Sequence, residues 1–592
     1  MYKTKHLLLF TIGPVKSFIQ ESRKAQDLFA SSALLSHLCK DAILKAYTAF
    51  KNDSFELITP AIKKSVLENN TNPSIPNRFF ASIETEEPTI ISERLEKIKD
   101  DLITSFSVVS SNENSIELPK GAEEQLKNHL EIRWVITKYH GDTYKKEDFY
   151  CINKNLAAIK NYTPIYNIKE LGRKCIVDGK HNVKFYRMKK TEQETTVLKK
   201  KLYQPKTDVK VIEHSQNNFL AIWQLQKGEG ISAVTLKKRL YQTKPHQFPS
   251  TASIALSHSI HCLENHEDNN RKHAFIKFKD KVQDNGNREK YLDHSNDQLF
   301  YKDNIESIFL EESKTKEDIK KCITEHEAWS KNVALPTYYA LLRFDGDNLG
   351  DWFTGDFRKK EISLKDYHTK LSQCLICFAD MIKSQITAPK GSVIYAGGED
   401  FMAMINIHYL KEVIDLIKDS FKDKVSDKMQ EYINYEKPFT LSMGICIAHY
   451  KEPLQLILNK TSAMEKLAKD NGRDRFSIQV SKHSGGQISC SLKWETLAVI
   501  ENIIDARNNK HISRAFILNI YNACETLAFS NEAKELLKIQ TKVFVSRAMH
   551  PDKDNTQVRD KIIKDLQVLF ETTTVNTVAN ALLITDFIQA HD

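Results

Sequence analysis

The sequence has no run approaching the ~20 consecutive apolar residues that a membrane-spanning helix needs, so no membrane partner is expected of it. A leader is not evident either. The opening MYKTKHLLLFTIGPVKSF has a basic start, but its apolar run is short and broken by Gly13 and Pro14. That pattern reads as a first β-strand and not as a signal peptide, so the expected location is cytoplasmic. Paired cysteines are also scarce. The 10 cysteines are scattered singly apart from Cys374 and Cys377, which excludes a disulfide framework and leaves no paired zinc motif. Cys374 and Cys377 fall on an amphipathic segment, KLSQCLICFADMI, where both are expected to face the core as small hydrophobes. Nor does the chain have a disordered composition, since 41% hydrophobic and 28% charged residues are ordinary for a globular protein.

What is present is enough chain for about three to five domains. A net charge of +9 points towards polyanions such as nucleic acid or nucleotides, without choosing among them. Four regions separate by texture. Residues 1–170 alternate strand-like and helix-like patterns, with HLLLFTIG, then a long helical stretch, then EIRWVITKYH and NKNLAAIKNY. Residues 171–334 are polar and basic, and read as solvated helices and long surface segments, not as a dedicated RNA groove.

Residues 335–481 are the most legible. YYALLRF is a strand, LKDYHTKLSQCLICFADMIKSQI an amphipathic helix, SVIYA and FMAMI a hairpin around GGED, and TLSMGICIA another strand. PLQLILNKTSAMEKLAKDNG is a helix with Pro453 at its start and Gly472 at its end. The order β-α-β-β-α-β is that of a ferredoxin-like sheet, the core of nucleotide-polymerase palms. Residues 482–592 are mostly helix-patterned and predict a C-terminal helical bundle.

In such a sheet the end of the first strand lies beside the tip of the central hairpin. RFDGDNLG then comes next to AGGEDF, bringing Asp345, Glu399 and Asp400 together. Three carboxylates at one edge repel one another unless cations neutralise them, and hard oxygen ligands suit Mg²⁺ or Mn²⁺. Two such ions form the arrangement used for in-line nucleotidyl transfer, in which one activates a hydroxyl and both stabilise charge on the α-phosphate. Gly397 and Gly398 lack Cβ atoms, which permits a positive-φ turn and close approach of a triphosphate to backbone amides. Lys469, at the end of the last helix, and Arg473, just after it, are cations able to reach phosphates. Ser442 lies on the strand expected to flank the hairpin, placed to hydrogen-bond a base or ribose. Singly, GGED is more often a surface turn and DGDN a loop; in this order on these elements they point to nucleotidyl transfer.

FDGDNLG, YAGGEDF, LSMGICIAHYKEPL and AKDNGR resemble the second palm of the large subunit of type III-B (Cmr) CRISPR effector complexes, and are distantly similar to GGDEF diguanylate cyclases. LLLFTIGPVKSFIQESRKAQDLFASSALLSHL is similar to that subunit's first palm, and GEGISAVTLKKRL with FPSTASIA to segments between the palms. The resemblance implies an α+β protein with two ferredoxin-like palms, a helical connecting domain and a helical C-terminal domain. It implies an enzyme switched on by target RNA, with guide RNA and other Cmr-type subunits as partners, that converts ATP into a messenger, usually cyclic oligoadenylate. Asp345, Glu399 and Asp400 carry over as catalytic metal ligands for two ions. Gly346, Asp347, Asn348, Gly397, Gly398, Ser442, Lys469 and Arg473 carry over as nucleotide contacts, Asp347 and Asn348 because they follow Asp345 in one loop.

Departures from the family pattern sharpen the expectation. The family often has GGDD, whereas the third position here is Glu399, one methylene longer. Relatives often carry an HD phosphohydrolase domain; the only His-Asp dipeptide here is His591–Asp592, and no HD-type DNase is expected. Where relatives show a zinc-binding CxxC between the palms, GRKCIVDG has Cys175 and then Asp178, so a structural zinc is not expected. The first palm has no DxD or GGDD pair, which suits a second nucleotide pocket or a scaffold. Two alternatives stand beside messenger synthesis from ATP. One is joining of AMP to another acceptor such as S-adenosylmethionine, and the other an inactive scaffold subunit. Retention of all three acids argues against the scaffold. A stand-alone diguanylate cyclase is disfavoured by the tandem palms.

Overall fold

Residues 3–591 are described in a computed structural model, apart from 70–74, 112–113, 116, 163–169, 171, 190, 213–224, 242–247, 284–289, 293–294, 313, 399, 435–438, 528–531 and 550–555. The first sheet grows from a strand with two apolar faces. In Thr4–Gly13 (β1), Leu7 and Leu9 join one core while Leu8, Phe10 and Ile12 join another. A strand covered on both faces reads as a continuous apolar run instead of an alternation. It is followed by Ala25–Ala49 (α1), Ser54–Thr59 (β2), Arg78–Thr85 (β3), Thr89–Ser107 (α2) and Glu131–Tyr139 (β4). The strands pair antiparallel in the order β2-β3-β1-β4, which with two intervening helices is the ferredoxin-like arrangement.

After Lys146–Asn161 (α3), the connecting region contains a small sheet of Phe185–Arg187 (β5), Lys210–Ile212 (β6) and Gly230–Ile231 (β7). The helices Ala233–Leu240 (α4), Thr251–Glu264 (α5), Asn269–Gln283 (α6), Lys302–Glu311 (α7) and Lys316–Ser330 (α8) follow, the last four packing around Phe275, Phe278 and Trp329. The reading of this region as a solvated basic surface fails at α4. Arg239 is 4% exposed and grips Glu229 through both terminal nitrogens at 2.9 Å, with Asp27 of the first palm at 3.3 Å. Lys238 is buried too, and donates to the Glu21 carbonyl at 2.9 Å. A charge run marks a solvated face only when no acid or carbonyl waits behind it, and here α4 seals the connecting region onto α1.

The second palm starts at Tyr338–Gly346 (β8) and continues through Leu364–Gln385 (α9), Gly391–Ala396 (β9), Asp400–Asn406 (β10), Leu410–Phe421 (α10) and Leu441–His449 (β11). These strands take the order β9-β10-β8-β11, again ferredoxin-like. Leu454–Asp470 (α11) then crosses over to Arg475–Ser481 (β12), which is parallel to β11 and paired with Gln487–Lys493 (β13). That last strand corrects the expected start of the helical bundle. Gly485 turns the chain with φ +95, and Cys490 and Leu492 are buried as the strand pairs along β12. Helices Leu497–Asn508 (α12), Arg514–Leu527 (α13), Ala533–Ala548 (α14), Thr556–Thr572 (α15) and Val575–His591 (α16) complete the chain, with Asn580 donating to the Ser489 carbonyl at 2.9 Å. Among the described residues no helix is long and apolar enough to cross a membrane.

The palms meet directly. Tyr144 donates to Nδ1 of His368 at 2.7 Å, and Nε2 of His368 gives its proton to the Phe353 carbonyl at 2.7 Å. Burial lowers this imidazole to about 4, so it is the neutral ring that fills both roles. The Ala61 amide donates to Ser372 on α9 at 2.9 Å. On the same helix Cys374 is buried but Cys377 is exposed, against the expectation that both face the core.

Candidate active site

Strand register brings two of the three predicted acids together. Asp345, next to last on β8, lies opposite Asp400, first on β10, and opposite Ser442 on β11. One residue further in, Phe344 and Phe401 stack with ring centroids 4.8 Å apart, which locks the pairing. The hairpin closes through the Gly397 amide, which donates to the Asp400 carbonyl at 2.8 Å. Gly398 takes φ +90, and a Cβ there would meet Leu375 at 3.2 Å. Gly397 is not in the left-handed region, so of the two glycines only Gly398 is required by backbone conformation. Glu399 lies outside the described residues.

Around the two aspartates the charges alternate. Lys469 bridges Asp345 and Glu465, its ammonium 2.8 Å from Glu465 Oε1. Arg343 pairs through Nε with Glu465 Oε2 at 2.7 Å, and its Nη2 lies 3.6 Å from Asp400 Oδ1. Tyr395 donates to that same oxygen at 2.9 Å. Burial raises the Asp400 carboxyl to about 6 against the opposing pull of Arg343 and Tyr395, with Asp345 and Glu465 adding repulsion. Burial likewise raises Asp345, partly offset by Lys469. Burial works against the charge on Lys469, but Asp345 and Glu465 outweigh it and hold the ammonium above its usual range.

This donor set fits hard divalent cations. Two adjacent carboxylates whose ionisation is costly unless a cation lies beside them are oxygen ligands of the kind Mg²⁺ and Mn²⁺ prefer. Among the described residues no group of three or more His, Cys, Asp or Glu side chains converges as a metal cage. Asp345 and Asp400 are held by Lys469 and Arg343 instead.

The other predicted residues divide. Lys469 lies at the aspartate pair, while Arg473 is exposed beyond the helix end with φ 61. Asp347 and Ser442 are buried and hold each other. Ser442 donates to Asp347 at 2.6 Å, Thr440 donates to it at 2.8 Å and the Asp474 amide at 3.0 Å. This knot ties the loop after β8 to β11 and to the turn after α11. Asn348 is exposed, with φ 55 at the head of the short helix Leu349–Phe353. At Gly346 a Cβ would lie 2.1 Å from Leu349 Cδ1, so a side chain there would have to displace that of Leu349. Arg343, Tyr395 and Glu465 escaped sequence reasoning. Arg343 is two residues before Asp345 on the same strand face, and Glu465 is one helical turn before Lys469, so both periodicities carried a signal.

At the corresponding end of the first palm, Thr11 lies opposite Arg78 on β3 and opposite Arg133 on β4. Lys160 is nearby, lowered by burial and then by the fields of these two arginines.

Two ferredoxin-like sheets in one chain, one ending in a register-paired aspartate couple, define a protein with the tandem-palm fold. Comparison with known proteins carries this further. Residues 338–477 match the family model of the Cas10/Cmr2 second palm domain, and residues 7–130 that of the CRISPR-associated protein Cmr2 N-terminal region. The CRISPR system Cmr subunit Cmr2 of Pyrococcus furiosus is 24% identical over 659 aligned positions, covering 96% of this chain and 72% of that relative. In both matched regions the chain is similar to Cas10/Cmr2 proteins. The fold is similar to that of a chain in the type III-B Cmr-beta apo structure, with TM-score 0.62, 14% identity and coverage of 93% of this chain and 78% of the other. A chain in Cmr-beta bound to cognate target RNA gives TM-score 0.58 at 13% identity, covering 92% and 79%.

Proposed function

We propose that this chain is the target-RNA-activated nucleotidyltransferase of a Cmr-type CRISPR complex, building a messenger from ATP by attack of a hydroxyl on the α-phosphate. The observation that supports this best is the register pairing of Asp345 with Asp400 at the edge of the second palm's sheet, with the cation Lys469 beside them. Similarity to Cmr2 and to chains of Cmr-beta complexes extends the reading to the partners: guide RNA, target RNA and the other subunits.

Asp345 and Asp400 would hold Mg²⁺ or Mn²⁺, with Glu399 next to them in sequence. Such ions, when bound, supply activation of the attacking hydroxyl and charge stabilisation at the α-phosphate. Tyr395 keeps the Asp400 carboxylate turned to the sheet edge through its 2.9 Å hydrogen bond. Lys469 is tethered to Glu465 and reaches as far as Asp345, a range that lets it move from a carboxylate to the polyphosphate. Gly398 holds the hairpin turn in its positive-φ form, leaving room for phosphate over the backbone amides.

The test is to assemble the complex with guide RNA, add target RNA, Mg²⁺ or Mn²⁺ and labelled ATP, with and without S-adenosylmethionine, and identify products by mass spectrometry. An adenylate product that requires target RNA and is lost in Asp345→Ala and Asp400→Ala is expected. A product made only with S-adenosylmethionine would move the acceptor from a second ATP to that molecule. No product under any condition would leave the chain a scaffold.

A further inference from the structure

Resting on the reading that Asp345 and Asp400 hold divalent cations, we propose that Glu465 is a positioning residue that keeps Lys469 and Arg343 from claiming those two aspartates. Asp345, Lys469, Glu465, Arg343 and Asp400 form a chain of alternating sign, and its two ends face each other across β8 and β10. Glu465 is its middle member, 7% exposed, and spends one oxygen on each cation.

The backbone is shaped to put it there. Gly444 of β11 lies under α11, and a Cβ at this glycine would come 2.3 Å from the Glu465 amide nitrogen and 2.5 Å from the Thr461 carbonyl. Only the missing side chain lets α11 settle onto the sheet and carry Glu465 to the aspartates. Ser462, on the same helix, accepts from Arg343 Nη1 at 3.3 Å and steadies the guanidinium from the other side.

Charge balance explains the need. A divalent cation at the aspartates has the same sign as Lys469 and Arg343, and it competes with them for the same oxygens. Without Glu465 the two side-chain cations have, among the described residues of this set, only Asp345 and Asp400 as counter-ions, and the five-member set goes from net −1 to neutral. With it, Lys469 and Arg343 keep a carboxylate of their own when the aspartates are taken. Lys469 is then free to turn to a polyphosphate without leaving the site.

The experiment measures Mn²⁺ binding to the assembled complex in the absence of nucleotide, by the electron paramagnetic resonance signal of free Mn²⁺, alongside melting temperature and steady-state kinetics. Glu465→Gln is expected to weaken Mn²⁺ about 10-fold and Lys469→Met to strengthen it about 3-fold, as expected for single charges next to a ligand pair. Lys469→Met is also expected to raise KM for ATP. Glu465→Asp should recover most of the lost affinity, and Glu465→Gln/Lys469→Met should bind close to the wild type. Wild-type Mn²⁺ affinity in Glu465→Gln, or weakened affinity in Lys469→Met, would overturn the proposal; the second does not depend on how well the glutamine variant folds. Asp345→Asn and Asp400→Asn separate the two layers. If both bind Mn²⁺ like the wild type, the metal-site reading itself is wrong. If both lose binding while Glu465→Gln does not, only the role of Glu465 falls.

Discussion

In the second palm, Asp345 faces Asp400 on one side and Ser442 on the other; at the same place in the first palm, Thr11 stands between Arg78 and Arg133. The strand order is shared, so the sheet itself does not decide what the edge can do. A pair of carboxylates in register is stable only beside cations, whereas the first palm's edge carries Arg78, Lys160 and Arg133, the last paired with Glu131 at 2.8 Å, a basic set that disfavours a metal ion. On the proposed function, the acidic edge is the one that would hold metal ions and the basic edge is not. The two palms are joined by hydrogen bonds from Tyr144 to His368 and from the Ala61 amide to Ser372.

The largest break in this comparison comes from neutralising one acid. Asp345→Asn or Asp400→Asn is expected to cut the rate of ATP conversion about 10³-fold or more, measured as product formed per assembled complex. Close behind is Gly444→Ala, whose Cβ cannot coexist with the α11 backbone. It should cost about 2–3 kcal/mol of stability in denaturant titration and weaken activity together with it. A middle-sized effect sharpens the contrast from the other palm. If Arg78 serves an anion at the first edge, Arg78→Ala raises KM for ATP about 5- to 10-fold with little change in kcat; an unchanged KM would assign that edge to scaffold alone.

Smaller effects separate structural from substrate-facing residues. Ser442→Ala removes the 2.6 Å hydrogen bond to Asp347 and should cost about 1–2 kcal/mol of stability while leaving KM for ATP unchanged. The pH response follows from the raised aspartates. Their folded pKa values exceed the ordinary 3.8, reaching about 6 at Asp400, so the folded state binds more protons than the unfolded one. Stability from this pair is therefore greatest below the unfolded value and is lost as pH rises through about 6. Asp400→Asn should melt a few degrees above the wild type at about pH 7.5, with the gap closing towards about pH 4.5. Added Mg²⁺ should reverse the order at the higher pH by stabilising only the wild type.

Much of this was legible from the chain. The hairpin, its flanking strands and the two helices of the second palm follow from periodicity and turn residues, and their order alone brings Asp345 beside Asp400. What escaped depends on direction and depth. Ser442 was placed on the right strand, but its hydroxyl turns to Asp347, because the loop after β8 needs a buried anchor. Arg343 looked like part of an apolar strand, and Glu465 like one more charge on an amphipathic helix, until α11 pressed onto Gly444 and closed the distance. The region holding Lys238 and Arg239 read as solvated as a whole because Asp27 and the Glu21 carbonyl behind them come from a segment far away in sequence. The strand β13 was hidden because only Cys490 and Leu492 of its seven residues are buried, which leaves little apolar pattern in QISCSLK.

The most direct measurement is the release of pyrophosphate from ATP by the target-RNA-bound complex, because attack on the α-phosphate expels it whatever the acceptor is. Release that matches AMP incorporated one for one, requires Mg²⁺ or Mn²⁺ and disappears in both Asp345→Asn and Asp400→Asn is the predicted result. Release that persists in both variants, or liberation of orthophosphate in place of pyrophosphate, would contradict it.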